Sequence, residues 1–114
     1  MQKQDRKKLT TDYKNREMLG GVCAIKNNIN GKVWIEGVKD IVGRRNRFEF
    51  VKNTGSAVPL NIRKDWELYG AEAFSFEVLE ELKKGETQTD AEFAVDIETL
   101  KDIFIEKFKP EQLY

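Results

Sequence analysis

The chain has 114 residues, 39% apolar and 35% charged, a composition that makes one globular domain with a single core and excludes a second. Histidine is absent, which removes the commonest general base, the commonest zinc ligand and every Ser–His or Cys–His nucleophile pair. Lys/Arg and Asp/Glu balance at twenty each, but residues 1–53 hold thirteen basic against six acidic residues, and residues 71–114 hold five against twelve.

That segregation suggests a basic face for a polyanionic partner, set against an acidic C-terminal helix. The alternative is that the two halves pair with each other across the fold. The one cysteine, Cys23, cannot form an internal disulfide, so a cytoplasmic location is expected. No apolar run approaches the roughly 18 residues of a membrane span, and the first twenty residues carry no apolar block of a secretory signal, so no membrane partner is expected.

Residues 1–20 read as an N-terminal helical extension, with apolar positions at Leu9, Tyr13 and Leu19 and a stop at Gly20-Gly21. A strand follows over 21–27, with Val22 and Ala24 on one side and Cys23 and Ile25 on the other. Asn30-Gly31 is a hairpin signal, because both residues tolerate positive φ. The second strand covers 32–38, setting Val33 and Ile35 against Trp34 and Glu36; Gly37 marks a bulge or a close backbone approach.

Asp40 is placed to cap the next helix, which should bury Ile41, Phe48 and Val51, and Phe50 in part. The same helix carries Arg44, Arg45 and Arg47 within one turn. After the Asn53-Thr54-Gly55-Ser56 break, Pro59 starts a helix with the stripe Ile62, Trp66 and Tyr69, ended by Gly70. Alternation of Phe74, Phe76 and Val78 with Ser75 and Glu77 predicts a third strand. The stripe Phe93, Ile97, Leu100, Phe104 and Phe108 predicts a long amphipathic helix over about 89–107, closed by Pro110. The fold expected is α+β, a three-stranded, mainly antiparallel sheet flanked by helices, with residues 21–109 as the domain and 110–114 as a tail.

The run Gly21-Val22-Cys23, the turn Asn30-Gly31-Lys32, the triplet Val33-Trp34-Ile35, Arg44 and the block from Lys64 to Glu80 together resemble the GIY-YIG nuclease family. The resemblance extends from about Gly21 to Lys109 and includes the order of elements. It implies a fold in which two strand tyrosines, a helix arginine, a His or Tyr one turn later and a metal-binding glutamate hydrolyse phosphodiesters with one divalent ion.

Carried over position by position, the first tyrosine is Cys23 and the second is Trp34. The motif's glycine falls on Glu36, Arg44 takes the arginine's place (a one-residue slip at Gly37 selects Arg45 instead), the His/Tyr position is Phe48, and the metal-binding glutamate is Lys101. An ammonium repels Mg²⁺, and neither an indole nor a phenyl ring transfers a proton. The resemblance therefore implies a catalytically degenerate nuclease fold that needs no cofactor.

Three functions follow. The first is a nucleic-acid-binding (DNA-binding) module using Arg44, Arg45, Arg47 and Lys101 against phosphates; against it stands a merely solvated or ion-paired helix face. The second is an active Mg²⁺-dependent endonuclease with relocated residues, Tyr13 or Tyr69 as base and Glu98 as ligand, with Glu36 a remote second carboxylate. The blander reading makes Tyr69 a core aromatic and Glu98 a surface charge. The third is a protein-interaction domain or homo-oligomer that uses an apolar former cleft at Cys23, Trp34 and Phe48; the alternative is that these side chains simply fill the cleft. Cys23 itself reads as a small buried hydrophobe.

Overall fold

A computed structural model of the chain describes residues 19–114. Of the expected N-terminal extension only Leu19 and Gly20 are therefore described, and both belong to a strand; Tyr13 lies outside the described residues. The elements run β1 (Leu19–Asn27), β2 (Val33–Val38), α1 (Ile41–Thr54), α2 (Leu60–Tyr69), a 3₁₀ turn (Ala71–Ala73), β3 (Phe74–Lys83), α3 (Asp90–Glu106) and a closing 3₁₀ turn (Pro110–Gln112). The sheet is antiparallel throughout, in the order β2-β1-β3.

Central β1 is buried on both faces, and strand alternation sends its side chains into two hydrophobic clusters, one on each face of the sheet, where the composition implies a single core. Ile25 packs with Phe48 and Val51 of α1, Ile62 and Trp66 of α2, and Phe74 of β3. The Trp66 and Phe74 rings stack at 4.9 Å between centroids. On the opposite face Val22, Ala24, Val33 and Ile35 meet Leu100, Phe104 and Ile105 of α3, with Phe108 just beyond it. α1 and α2 therefore cover one face, and α3 covers the other.

Whether a helix precedes Gly20-Gly21 lies outside the described residues; Gly20 and Gly21 themselves belong to β1. Gly21 sits beside a β-bulge, where Val22 faces Glu80 but Cys23 faces Val78, so that Leu79 is the extra residue. A Cβ on Gly21, whose φ is +147°, would lie 2.0 Å from the carbonyl oxygen of Glu80. Glycine is needed here by close backbone approach inside the sheet, a contact that no local pattern announces.

The hairpin turn is also longer than its Asn-Gly signal implied. It spans residues 28–31: the Gly31 N–H donates to the Asn27 carbonyl (2.8 Å), and the Asn27 N–H donates to the Lys32 carbonyl (2.9 Å). The Asn27 side-chain oxygen accepts from the Ile29 N–H at 2.9 Å, and only Gly31 in the turn has positive φ. A side-chain acceptor thus does what a second positive-φ residue would do in a two-residue turn.

The helix ends follow their sequence signals. Asp40 accepts from the Gly43 N–H at 3.1 Å, and Thr89 with Glu92 forms a capping box. Ile41, Phe48 and Val51 are buried as expected, but Phe50 is 58% exposed, because two helical positions past Phe48 rotate it away from the sheet. Tyr69 is 37% exposed: it is the last residue of α2, and the chain departs at Gly70 before the third position of the stripe is fully covered.

Residues 110–114, set apart in the sequence as a tail, lie along the outer edge of β2. Leu113 bridges Val33 in parallel, and the Tyr114 N–H donates to the Val33 carbonyl at 3.0 Å. The Tyr114 hydroxyl donates to Asp65 (2.7 Å) and accepts from the side chain of fully buried Asn27 (3.0 Å). Burial raises the Tyr114 hydroxyl above its ordinary pKa, with Asp65 acting in the same sense.

Candidate nucleic-acid interface

β1, β2 and α1 bring Cys23, Trp34, Glu36, Phe48 and the arginines to one face of the sheet. Cys23 and Glu36 are direct cross-strand partners. Cys23 is fully buried, and burial pushes its thiol up to about 11; Glu36 adds to the rise, and Arg44 and Arg45 oppose it. A thiolate nucleophile is thus disfavoured at neutral pH. Phe48 is 2% exposed and touches Trp66 edge-on and Phe76 at 5.8 Å. Trp34 packs half-buried against the same core. These three side chains fill the cleft rather than line an exposed apolar floor, so they offer no docking patch of their own.

The three arginines part company around α1, because neighbouring helical positions are 100° apart. Arg44 leans toward β2, where its Nε–H donates to Glu36 at 2.5 Å in a largely shielded ion pair. Arg45 leans the other way, its guanidinium 5.8 Å from the centre of the Phe76 ring. Arg47 returns to the Arg44 side. With Lys39 and Arg44 it lines an open groove of about 340 Å³ at the junction of β2 and α1, alongside Val38, Asp40 and Gly43.

Lys39 escaped the sequence reading. Its only signal is its place at a strand-to-helix junction, immediately before the capping Asp40. Asp40 accepts from the Gly43 N–H and sets a carboxylate at the start of α1, so anion binding in this groove falls to the side chains. Glu36 engages only the Nε–H of Arg44, and among the described residues no other carboxylate meets its terminal nitrogens.

Lys101 stands elsewhere. It lies on α3, across the sheet from α1, and pairs with Glu98 at 2.8 Å. It does not line the groove that holds Arg44 and Arg47. The relocated metal site fares no better: Glu98 is exposed and paired with an ammonium, and Glu36 belongs to the opposite face. Among the described residues no group of three or more carboxylate or cysteine side chains converges on a point. This donor set does not fit Mg²⁺, which is held through carboxylates. Tyr69 is exposed at the end of α2 and sits in neither place.

For residues 19–114 the charge question raised by the sequence has a geometric answer. The three ion pairs among the described residues are Arg44–Glu36, Lys84–Asp90 and Lys101–Glu98, and none links the basic half to the acidic half. The basic helix and the acidic helix face away from each other. Among the described residues no helix is long and apolar enough to cross a membrane.

No protein-family model matches the chain, and no curated protein does. Two solved structures do. The catalytic domain of the homing endonuclease I-TevI superposes with a TM-score of 0.62 at 20% identity, over 83% of this chain and 95% of that one. A point mutant of the catalytic domain of the intron endonuclease I-TevI gives 0.58 at 22% identity, over 79% and 84%. The chain accordingly has a GIY-YIG-like, nuclease-like α+β fold: a three-stranded antiparallel sheet with helices on both faces.

Proposed function

We propose that this domain binds nucleic acid, DNA in the first instance, along the basic side of α1 and does not cut it. The observation that carries this reading is the groove between β2 and α1, where Lys39, Arg44 and Arg47 surround a space of about 340 Å³. It sits beside the position that the family resemblance gives to a phosphate-contacting arginine. Three cations around an open groove suit phosphate oxygens, which take most of the hydrogen bonds in protein–nucleic acid contacts. A fold shared with endonuclease catalytic domains favours the same class of ligand.

Hydrolysis lacks its parts. General acid–base groups typically contribute about 10²- to 10⁴-fold, and a metal adds several kcal/mol of charge stabilisation. At the corresponding positions stand a buried thiol, an indole, a phenyl ring and an ammonium. Lys101 does not assist the arginines, because it faces the other side of the sheet. The binding residues are Lys39, Arg44 and Arg47, with Arg45 on the far flank of α1.

Fluorescence anisotropy with a short labelled DNA duplex, repeated over a range of salt, tests the reading. Three phosphate contacts give a log–log slope of about −2.7. Lys39→Ala and Arg47→Ala should each shallow it by about 1. A supercoiled plasmid with Mg²⁺ should remain uncut. Absence of binding at low salt removes the binding role, and Mg²⁺-dependent nicking abolished by Arg44→Ala restores the enzyme.

A further inference from the structure

The side of α1 that points away from the sheet is built for a partner. Opposite the buried Ile41, Phe48 and Val51 runs a stripe of Val42, Asn46 and Phe50, flanked by Arg45 and Glu49 on one side and Arg47 on the other. Val42 and Phe50 are at least half exposed. On the far side of the sheet, β3 and α3 enclose a groove of about 330 Å³. Leu82, Leu100 and Ile103 contribute its apolar surface, and Glu80, Glu81 and Asp96 its charge. One surface is a ridge with two apolar anchors, Val42 and Phe50, and a net positive charge from Arg45 and Arg47 against Glu49, and the other is an apolar trough with acidic margins.

We propose that the groove between β3 and α3 receives the outward face of α1 from a second copy of the chain. Phe50 and Val42 would seat against Leu82, Leu100 and Ile103, as helix-in-groove recognition does with apolar anchors at helical spacing. Arg45 and Arg47 would meet Glu80, Glu81 and Asp96. Two facts favour another copy over an unrelated protein. The chain's net charge is zero, so copies do not repel. Its opposite charges are segregated to opposite faces and joined by no internal ion pair among the described residues.

Because ridge and groove lie on opposite faces, two copies cannot satisfy both at once about a two-fold axis. The contact is head-to-tail and open-ended. Arg47 serves both this contact and the nucleic-acid groove, so the two occupants exclude each other.

Sedimentation velocity on the full chain tests this. The sedimentation coefficient should rise with protein concentration past the dimer, and should fall back when salt goes from about 50 to about 500 mM, as screening shortens. Glu80→Lys/Glu81→Lys and, separately, Phe50→Glu should each give a monomer; all three positions are exposed, and circular dichroism melts check that the fold persists. Mixed together, the two variants should form a 1:1 dimer and nothing larger, because one keeps its ridge and the other its groove. A monomer at every concentration, association indifferent to both variants, or no dimer in the mixture overturns the proposal. DNA anisotropy on Glu80→Lys/Glu81→Lys separates the two readings: binding retained in that monomer leaves the proposed function standing whatever becomes of self-association.

Discussion

The two faces of the sheet share one central strand and differ in nearly everything else. The α1–α2 face is an aromatic core, Phe48, Trp66, Phe74 and Phe76, under a basic surface. The α3 face is largely aliphatic over β1 and β2, closed by half-buried Leu100, Phe104 and Phe108 under an acidic surface. The aromatic face also contains Cys23, Trp34 and Phe48, where the family resemblance places tyrosines and a proton-transfer residue. Cys23 and Phe48 are core side chains there and Trp34 is half-buried, whereas acid–base chemistry needs ionisable groups within reach of a substrate. The basic surface remains at the margin of that core rather than inside it.

The largest expected effect weighs the two cores directly. Phe74→Ala empties the centre of the aromatic cluster and should cost about 4–5 kcal/mol in urea unfolding. Ile97→Ala should cost about 2–3 kcal/mol, because its partly exposed α3 neighbours can close over the space. Equal costs would mean that the faces do not differ in packing.

Gly37 joins the α3 face to β2. A Cβ there would lie 2.5 Å from the Cγ2 methyl of Ile97. Gly37→Ala should destabilise by about 1–3 kcal/mol through overpacking. Adding Ile97→Ala removes the obstructing methyl, so the double variant should be less destabilised than the sum of the two. Strict additivity would show that α3 shifts freely on the sheet.

Cys23 reports on the other face. Its thiol titrates at about 11 in the fold, above the value of an exposed cysteine. Between roughly pH 9 and 11 the unfolded chain releases this proton while the native chain keeps it. Stability from this group is therefore whole below about pH 9 and lost as pH rises, by on the order of 2 kcal/mol. Chemical melts at pH 8 and pH 10.5 should show a fall that shrinks in Cys23→Ala. An unchanged fall would mean that water reaches the thiol.

The smallest effects come from the helix caps, one on each side of the sheet. Asp40→Ala and Thr89→Ala should each cost about 1 kcal/mol in thermal or urea melts. Asp40→Ala also removes a carboxylate from the basic groove, so it should tighten DNA binding, whereas Thr89→Ala should leave binding unchanged.

Much of this architecture was legible before any coordinates. The element order from the hairpin onward, the Asp40 cap, the buried Ile41, Phe48 and Val51, and the Phe93–Ile97–Leu100–Phe104 stripe depend on periodicity and end chemistry within a few residues. The errors share one cause. The need for glycine at position 21 was not readable locally, because the Glu80 carbonyl that forbids a side chain there is some sixty residues away in sequence. Phe50 and Tyr69 were assigned too much burial, because a repeat gives the direction of a stripe but not where its cover ends. Lys39 was overlooked because a groove exists only once β2 and α1 are placed.

The arginine cluster shows the division most plainly. Composition and spacing determined that Arg44, Arg45 and Arg47 share one helix, and that the basic and acidic residues are segregated along the chain. Whether those charges neutralise each other depends on which faces of the sheet the helices cover, a consequence of long-range strand pairing. Only the tertiary structure placed α1 and α3 back to back. It tied Arg44 to Glu36, turned Arg45 onto Phe76 and left Arg47 beside Lys39 in an open groove. Coulombic attraction acts over a few ångströms of space, and position in the sequence does not fix that distance.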